Sequence, residues 1–219
     1  MGIRAPLIVS LVIVAGMVLL SAWAWPLVPD VPPVAIHWDL GGRANGFASK
    51  PFALLIMPAL ALGCTLAFAL LPLWRGPQGL DTSRNAYLTG WLGTLVVLAD
   101  AHAVLVAVAR GWQANVSNVM LFAVALLITL IGNFLGKTEP NTIVGVRTPW
   151  TRASDLSWEK SNRAAGRMLV GVGLITLGAG VVMAPAAAFK VLLAGVLVAA
   201  AASVALSRYY WKHDPDRRP

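Results

Sequence analysis

The sequence predicts an all-α polytopic membrane protein with about six transmembrane helices, one structured outer loop and one structured inner loop. Three observations carry this. Of 219 residues, 58% are hydrophobic and only 12% charged, about half the charged fraction of a soluble domain. Several long stretches show no polar face that could meet water. At about 20 residues per crossing of a ~30 Å hydrocarbon core, the apolar length suffices for several crossings. The net charge of +8 in a soluble chain would point to nucleic acid. No stretch interleaves basic and aromatic residues as a nucleic-acid groove does, so direct nucleic-acid binding is not expected. Cytoplasmic lysines and arginines of a membrane protein account for the charge instead.

The elements follow in order. Span one is read over 6–25, after Arg4. It is longer than a signal-peptide core and lacks a small-x-small cleavage site, so it is read as retained. Span two covers 52–74 and holds the lone cysteine, Cys64, read as a small apolar packing residue. Span three covers 86–109, span four 116–135, span five 168–183 and span six 186–209. Ala184 and Pro185 join the last two in a tight hairpin. They could also be counted as one long helix, but Pro185 and two full apolar lengths favour two. The chain is divided into 1–75, a first helix pair with an extracytoplasmic loop 26–51, and 76–219, a helical region with a cytoplasmic loop 137–167. The links 75–85 and 110–115 are short.

Six spans put Arg43, Lys50, Arg110 and Lys190 on one side and the rest of the 17 lysines and arginines on the other. The richer side is assigned to the cytoplasm, with both termini and the loop around Arg147, and the loop around His37 faces outward. Aromatic placement agrees: Trp74, Tyr209, Tyr210 and Trp211 fall at inner ends, Trp23, Trp25 and Trp112 at outer ends.

In the outer loop, Pro29, Pro32 and Pro33 stiffen the entry. Residues 34–38 read as an extended segment. Gly41, Gly42 and Asn45-Gly46 are turn signals, and Asn45-Gly46 fits a tight hairpin turn. His37 and Asp39 share a face if the segment is extended. Two ligands fall short of the three or four a metal needs, so neither a metal nor another cofactor is expected. The plainer reading of His37 is a hydrogen bond that fixes the loop. With Gly42, Gly46 and Lys50, these residues form a candidate outer surface for an extracellular peptide.

In the inner loop, Asn133 sits where span four ends and can cap freed carbonyls. Pro140 and Pro149 break helix. Ser154 or Asp155 suits the N-cap of a short helix running through Arg167. Glu159 and Arg163 are an i, i+4 pair in the favourable order. Leu156, Trp158 and Met168 give that helix an apolar side for the membrane surface. Arg147 carries a planar five-donor fork suited to carboxylate or phosphate. Asp155, Glu159, a lipid headgroup and another protein are its candidate partners.

Within the spans, Asp100 stands out. An ionised aspartate there costs about 2.5–3.5 kcal/mol on insertion scales unless paired or protonated. It is read as a ligand or relay group, or as a helix-to-helix hydrogen-bonding group. His102 lies about 200° away around the helix and cannot share its face. Lys190, at similar depth, is a candidate partner for Asp100. Gly132-x-x-x-Gly136 and the glycines 171, 173, 178 and 180 suggest close helix packing. No metalloprotease, serine-hydrolase, P-loop or dinucleotide motif occurs, so no catalytic residue is identified. Two other readings stay open: a small transporter of peptide or lipid-like substrate coupled through Asp100, and a membrane enzyme with His37 and Asp39 chemistry on the outer face.

Gly132-Asn133, Asn141, the run Gly145-Val146-Arg147-Thr148-Pro149-Trp150-Thr151 and Trp158 resemble the SdpI family, named for an immunity protein against a secreted bacterial killing peptide. Pro33, His37, Gly41 or Gly42, Gly46 and Ser49-Lys50 resemble the small domain of unknown function that often precedes it. The family often has histidine in a Thr-His-Arg-like element; this chain has Ser161-Asn162-Arg163. Asparagine keeps a hydrogen bond but does not titrate. The resemblance implies a multi-pass protein of the bacterial inner membrane with cytoplasmic ends. It also implies resistance to an extracellular toxic peptide, and a cytosolic repressor of the ArsR type as a partner.

Overall fold

A computed structural model describes residues 2–75 and 80–218; part of the short link 75–85 thus lies outside the described residues. The chain forms α1 (Arg4–Ala24), β1 (Val34–Trp38), β2 (Ala44–Ala48), α2 (Lys50–Arg75), α3 (Arg84–Ala109), α4 (Val116–Leu135), α5 (Pro149–Arg152), α6 (Asp155–Val182) and α7 (Pro185–Lys212). Six of these helices, all but α5, are long and apolar enough to cross a bilayer. Their outward-facing leucines and valines, such as Val12, Leu70, Val182 and Val198, are what a helix presents to lipid.

Two helix groups meet side by side. α1, α2 and α3 pack on one another, α4, α6 and α7 do the same, and α3 against α4 joins them. The closest approach is between α4 and α6. A Cβ on Gly132 would lie 2.8 Å from the Gly166 carbonyl oxygen, and one on Gly166 would lie 2.6 Å from that of Gly132. Gly173 meets Ala125 and Thr129 in the same way, whereas Gly171 and Gly178 face open space. Small residues thus let the two backbones touch where lipid provides no hydrophobic drive between helices.

Two prolines shape the first group. Pro58 and Pro72 lie inside α2, and each removes the amide that the carbonyl four residues earlier would receive. Those carbonyls belong to Leu54 and Phe68. Ser21 of α1 donates its hydroxyl to the Leu54 oxygen at 2.6 Å, and the Tyr87 hydroxyl of α3 donates to the Phe68 oxygen. Both helix neighbours therefore satisfy a backbone group that proline has freed. Phe68 stacks on Trp91, and Tyr87 meets both rings edge-on.

Two expectations need correction. The short polar helix and span five are one 28-residue helix, α6. One side of its polar first turns, with Ser157, Trp158, Ser161 and Asn162, is buried against neighbouring segments, and the helix runs on unbroken past Arg167. The hairpin turn lies at 39–43, not at Asn45-Gly46, which belongs to β2. Only Gly42 has positive φ there, at 85°, and the Asp39 carboxylate accepts the amides of Gly41 and Arg43 at 2.8 and 2.9 Å. A side-chain-closed turn at Asp39 wins over the dipeptide signal.

Candidate functional site

The two patterned loops lie at opposite ends of the bundle. At one end, the β1–β2 hairpin rests on the start of α4. Ser117 donates its hydroxyl to the Asp39 carbonyl at 3.1 Å, and Gly42 sits against Ser117 and the capping residue Asn115. His37 Nδ1 is 2.5 Å from Asn45 Oδ1 across the strands. Gly46 opposes His37 so closely that a Cβ would lie 2.9 Å from the histidine Cβ. His37 and Asp39 both line the cavity beneath the hairpin, but their side chains have separate partners: one pairs across the strands, the other closes the turn. Among the described residues no cluster of three potential ligands could hold a metal. Lys50 turns inward with its side chain only 10% exposed, binding Asp30 at 2.8 Å and the Val28 carbonyl at 3.1 Å. It tethers the proline-rich entry to the head of α2. Beneath the hairpin is a cavity of about 220 Å³ reaching Met57, Leu105, Met120 and Phe189.

At the other end, two asparagines organise the inner loop. Asn141 is buried. Its Nδ2 donates to Ser83 Oγ and to the carbonyls of Glu139 and Val144, at 2.8–3.2 Å. Its Oδ1 accepts the amides of Ile143 and Val144 at 2.8 and 2.6 Å. Asn162, fully buried on α6, accepts the Val146 amide at 2.6 Å and donates to the Trp158 carbonyl at 3.0 Å. Gly145 passes over both side chains with φ 128°, and a Cβ there would lie 2.8 Å from Asn162 Oδ1 and 2.9 Å from the Trp158 ring. Only glycine fits that approach and that φ.

The Thr-Pro-Trp-Thr step is a one-turn helix with a reciprocal cap. The Thr148 hydroxyl accepts the Thr151 amide at 3.1 Å, and Thr151 Oγ1 accepts the Thr148 amide at 3.0 Å. Pro149 takes the first helical position, where its missing amide costs nothing. Thr151 also donates to the Val146 carbonyl at 2.8 Å. Thr148 reaches Ser207 of α7 at 3.0 Å, and Arg208 lies 5.9 Å from the Trp150 ring centroid. Arg147 and Pro149 are exposed. Glu159 pairs with Arg163 at 2.8 Å and Asp155 with Arg218 at 3.6 Å, so both acids considered for Arg147 have other arginine partners.

Two expectations here are corrected. Trp158 does not face the membrane: it is 1% exposed, and its indole N–H donates to the Thr138 carbonyl at 2.9 Å. Asn133 does not cap α4. It is exposed, and Thr138 caps instead, donating to the Leu135 carbonyl at 2.8 Å. Sequence reading missed the C-terminal tail. Asp214 accepts the Ser154 hydroxyl at 2.5 Å, and the Arg218 amide donates to the Ala153 carbonyl at 2.8 Å. Ser157 donates to the Ser207 carbonyl at 2.7 Å. The only sequence signal for these contacts was polar residues at the expected inner end of span six.

The intramembrane residues separate. His102 is fully buried against α1, its Nε2 3.0 Å from Ser21 Oγ and 3.2 Å from the Met17 carbonyl. Ser21 spends its proton on Leu54, so His102 is the donor and its Nε2 carries hydrogen. Asp100 faces the other way, into an apolar cavity of about 640 Å³ lined by α3, α4 and Leu177. Its Oδ2 is buried without a hydrogen-bond partner. The expected Asp100–Lys190 contact is not formed. Lys190 lines a separate cavity with Leu40 and Phe189, because α7 packs on α6 and α4 and not on the Asp100 face of α3.

Residues 137–207 match the SdpI/YfhL protein family, and residues 12–62 match a domain of unknown function, DUF1648. The chain is similar to the immunity protein SdpI of Bacillus subtilis (strain 168), with 26% identity over 168 residues, which cover 77% of this chain and 78% of that protein. No solved structure matches. Six apolar helices and this similarity make the chain a multi-pass bacterial membrane protein. The stretch that holds the Arg-Thr-Pro-Trp loop and the helices that brace it is thus similar to the SdpI/YfhL protein family, and the first helix pair with its outer loop to DUF1648.

Proposed function

We propose that this chain is a membrane immunity protein of the SdpI type, which resists an extracellular toxic peptide. The observation that carries the reading is its similarity to an immunity protein over most of both chains. The fold supports a division of labour. The hairpin with His37, Asp39, Gly42 and Gly46, its entry tethered from within by Lys50, is a stiff surface held on α2 and α4, and it faces outward to meet the peptide. The loop with Arg147, Thr148, Pro149 and Trp150 faces the cytoplasm, with both termini. Its buried asparagines fix the backbone so that Arg147 and Pro149 are presented to a cytosolic partner, an ArsR-type repressor in this reading.

Expression in a bacterium sensitive to a secreted killing peptide tests this. Survival should rise with the intact chain, and His37→Ala should lower protection without lowering the amount of protein in the membrane. No gain in survival against any such peptide would remove the reading. A second reading, transport of a peptide or lipid-like substrate, is favoured by the unpartnered Asp100 carboxyl in its apolar cavity. It expects proteoliposome uptake that disappears in Asp100→Asn, and uptake unaffected by that change would end it.

A further inference from the structure

α6 is 28 residues long, about 42 Å at 1.5 Å per residue. It overruns a ~30 Å hydrocarbon core by about two turns. The overrun falls at its Asp155 end, because the link from α6 to α7 is only Met183 and Ala184 and the polar residues lie in the first turns. Arg163 is thereby placed at headgroup depth, and Arg167, one turn deeper, reaches toward that level with its long side chain. α4 has 20 residues, just one core thickness, so Lys137 beyond its end lies at the same level.

At that level a groove of about 410 Å³ opens between the two helices. Asn133 of α4 and Lys137 just beyond its end form one wall, and Arg163 and Arg167 of α6 the other. Glycines 132, 136 and 166 make the floor, where a side chain would collide with the opposite backbone. Glu159 neutralises Arg163 at 2.8 Å; Lys137 and Arg167 form no ion pair with a described residue. The groove therefore carries a positive excess and guanidinium, ammonium and amide donors, the set that binds a phosphodiester.

Helical spacing carries both walls deeper into the bilayer. On α4, Asn133 continues through Leu130 to Leu126; on α6, Arg167 and Val170 continue to Leu177. Leu126, Leu130 and Leu177 line the apolar cavity of about 640 Å³. Arg163 to Leu177 spans about 21 Å, from the headgroup level to past the middle of the hydrocarbon core. A basic head and an apolar channel reaching past mid-membrane have the polarity of one molecule.

We propose that the α4–α6 face is a binding site for an anionic phospholipid of the leaflet at that end. The phosphate lies on Lys137, Arg163 and Arg167, with Asn133 as a further donor, and an acyl chain lies along Leu130, Leu126 and Leu177. This site does not depend on the immunity reading and stands or falls separately from it.

The test is native mass spectrometry of the full chain in detergent, titrated with phosphatidylglycerol, phosphatidylcholine and glycerol 3-phosphate. Phosphatidylglycerol should be retained more tightly than phosphatidylcholine. The double variant Arg163→Gln/Arg167→Gln should weaken it by roughly thirtyfold, from the loss of two cations at the membrane surface. Lys137→Arg should keep binding, which separates charge from folding, and Leu177→Trp should weaken it by filling the channel. Equal retention of the two lipids, or a double variant that binds like the parent, would overturn the site. Glycerol 3-phosphate binding as tightly as the lipid would overturn it in favour of a free phosphate ester.

Discussion

Removing the Ser21 hydroxyl should destabilise the first helix group, and only because Pro58 is present. Ser21 donates to the Leu54 carbonyl at 2.6 Å, with Ser21 2% and Leu54 0% exposed. Hydrogen bonds between transmembrane helices average about 0.6 kcal/mol and reach about 1.7, because the separated groups usually find substitutes. The Leu54 oxygen has no helix amide to fall back on, since residue 58 is proline. Ser21→Ala should therefore cost near the top of that range, about 1.5 kcal/mol. In a Pro58→Ala background, the restored amide can serve Leu54, and the same change should cost much less. The contact between His102 and Ser21 is lost in both backgrounds and cancels. A double-mutant cycle, read by unfolding in mixed micelles, isolates a coupling of about 1 kcal/mol or more. Equal costs in the two backgrounds would refute the reasoning. Tyr87→Phe with Pro72→Ala should repeat the pattern.

Three further outcomes are expected. Asn141→Ala removes all five of the hydrogen bonds described above and should expose the amides of Ile143 and Val144 to rapid hydrogen exchange; unchanged protection there would show that Asn141 does not hold the loop. Asp100→Leu removes a carboxyl with a buried, unpartnered oxygen and should raise stability in detergent by about 1–3 kcal/mol; a loss of stability would mean that Asp100 has a structural partner. Gly166→Val puts a side chain where the Gly132 carbonyl is 2.6 Å away and should abolish the α4–α6 crossing, costing about 3 kcal/mol or more and lowering the folded yield; normal yield would contradict the backbone contact.

The six spans were legible because lipid imposes a length and a polarity that any apolar run displays. Residues 34–38 also read correctly as extended, and Ser154 as a cap, since both features are local to a few residues. Glu159 and Arg163 are one turn apart and needed no tertiary information. The errors arise where a distant group decides. Asn45-Gly46 is a strong turn dipeptide, but the Asp39 carboxylate closes the chain earlier and Gly46 is needed flat against His37. Trp158 looked like a membrane-surface aromatic, yet Thr138 and Gly145 cover it from another segment. The Asp100–Lys190 pairing rested on depth alone, and depth does not say which helices are neighbours. Of the inner loop, the sequence marked the residues but not their geometry. Asn141 and Asn162 work through Ser83 and the backbone of 143–146, contacts that no spacing rule encodes.

The account rests most on the two loops facing opposite sides of the membrane, hairpin outside and Arg-Thr-Pro-Trp loop inside. Single cysteines at Ala44 and Arg152, both exposed, in a Cys64→Ala background test this with a membrane-impermeant thiol reagent on intact cells. Ala44→Cys should label at once, and Arg152→Cys only after the membrane is opened. Labelling of Arg152→Cys in intact cells, or of both positions together, would contradict the orientation and the roles drawn from it.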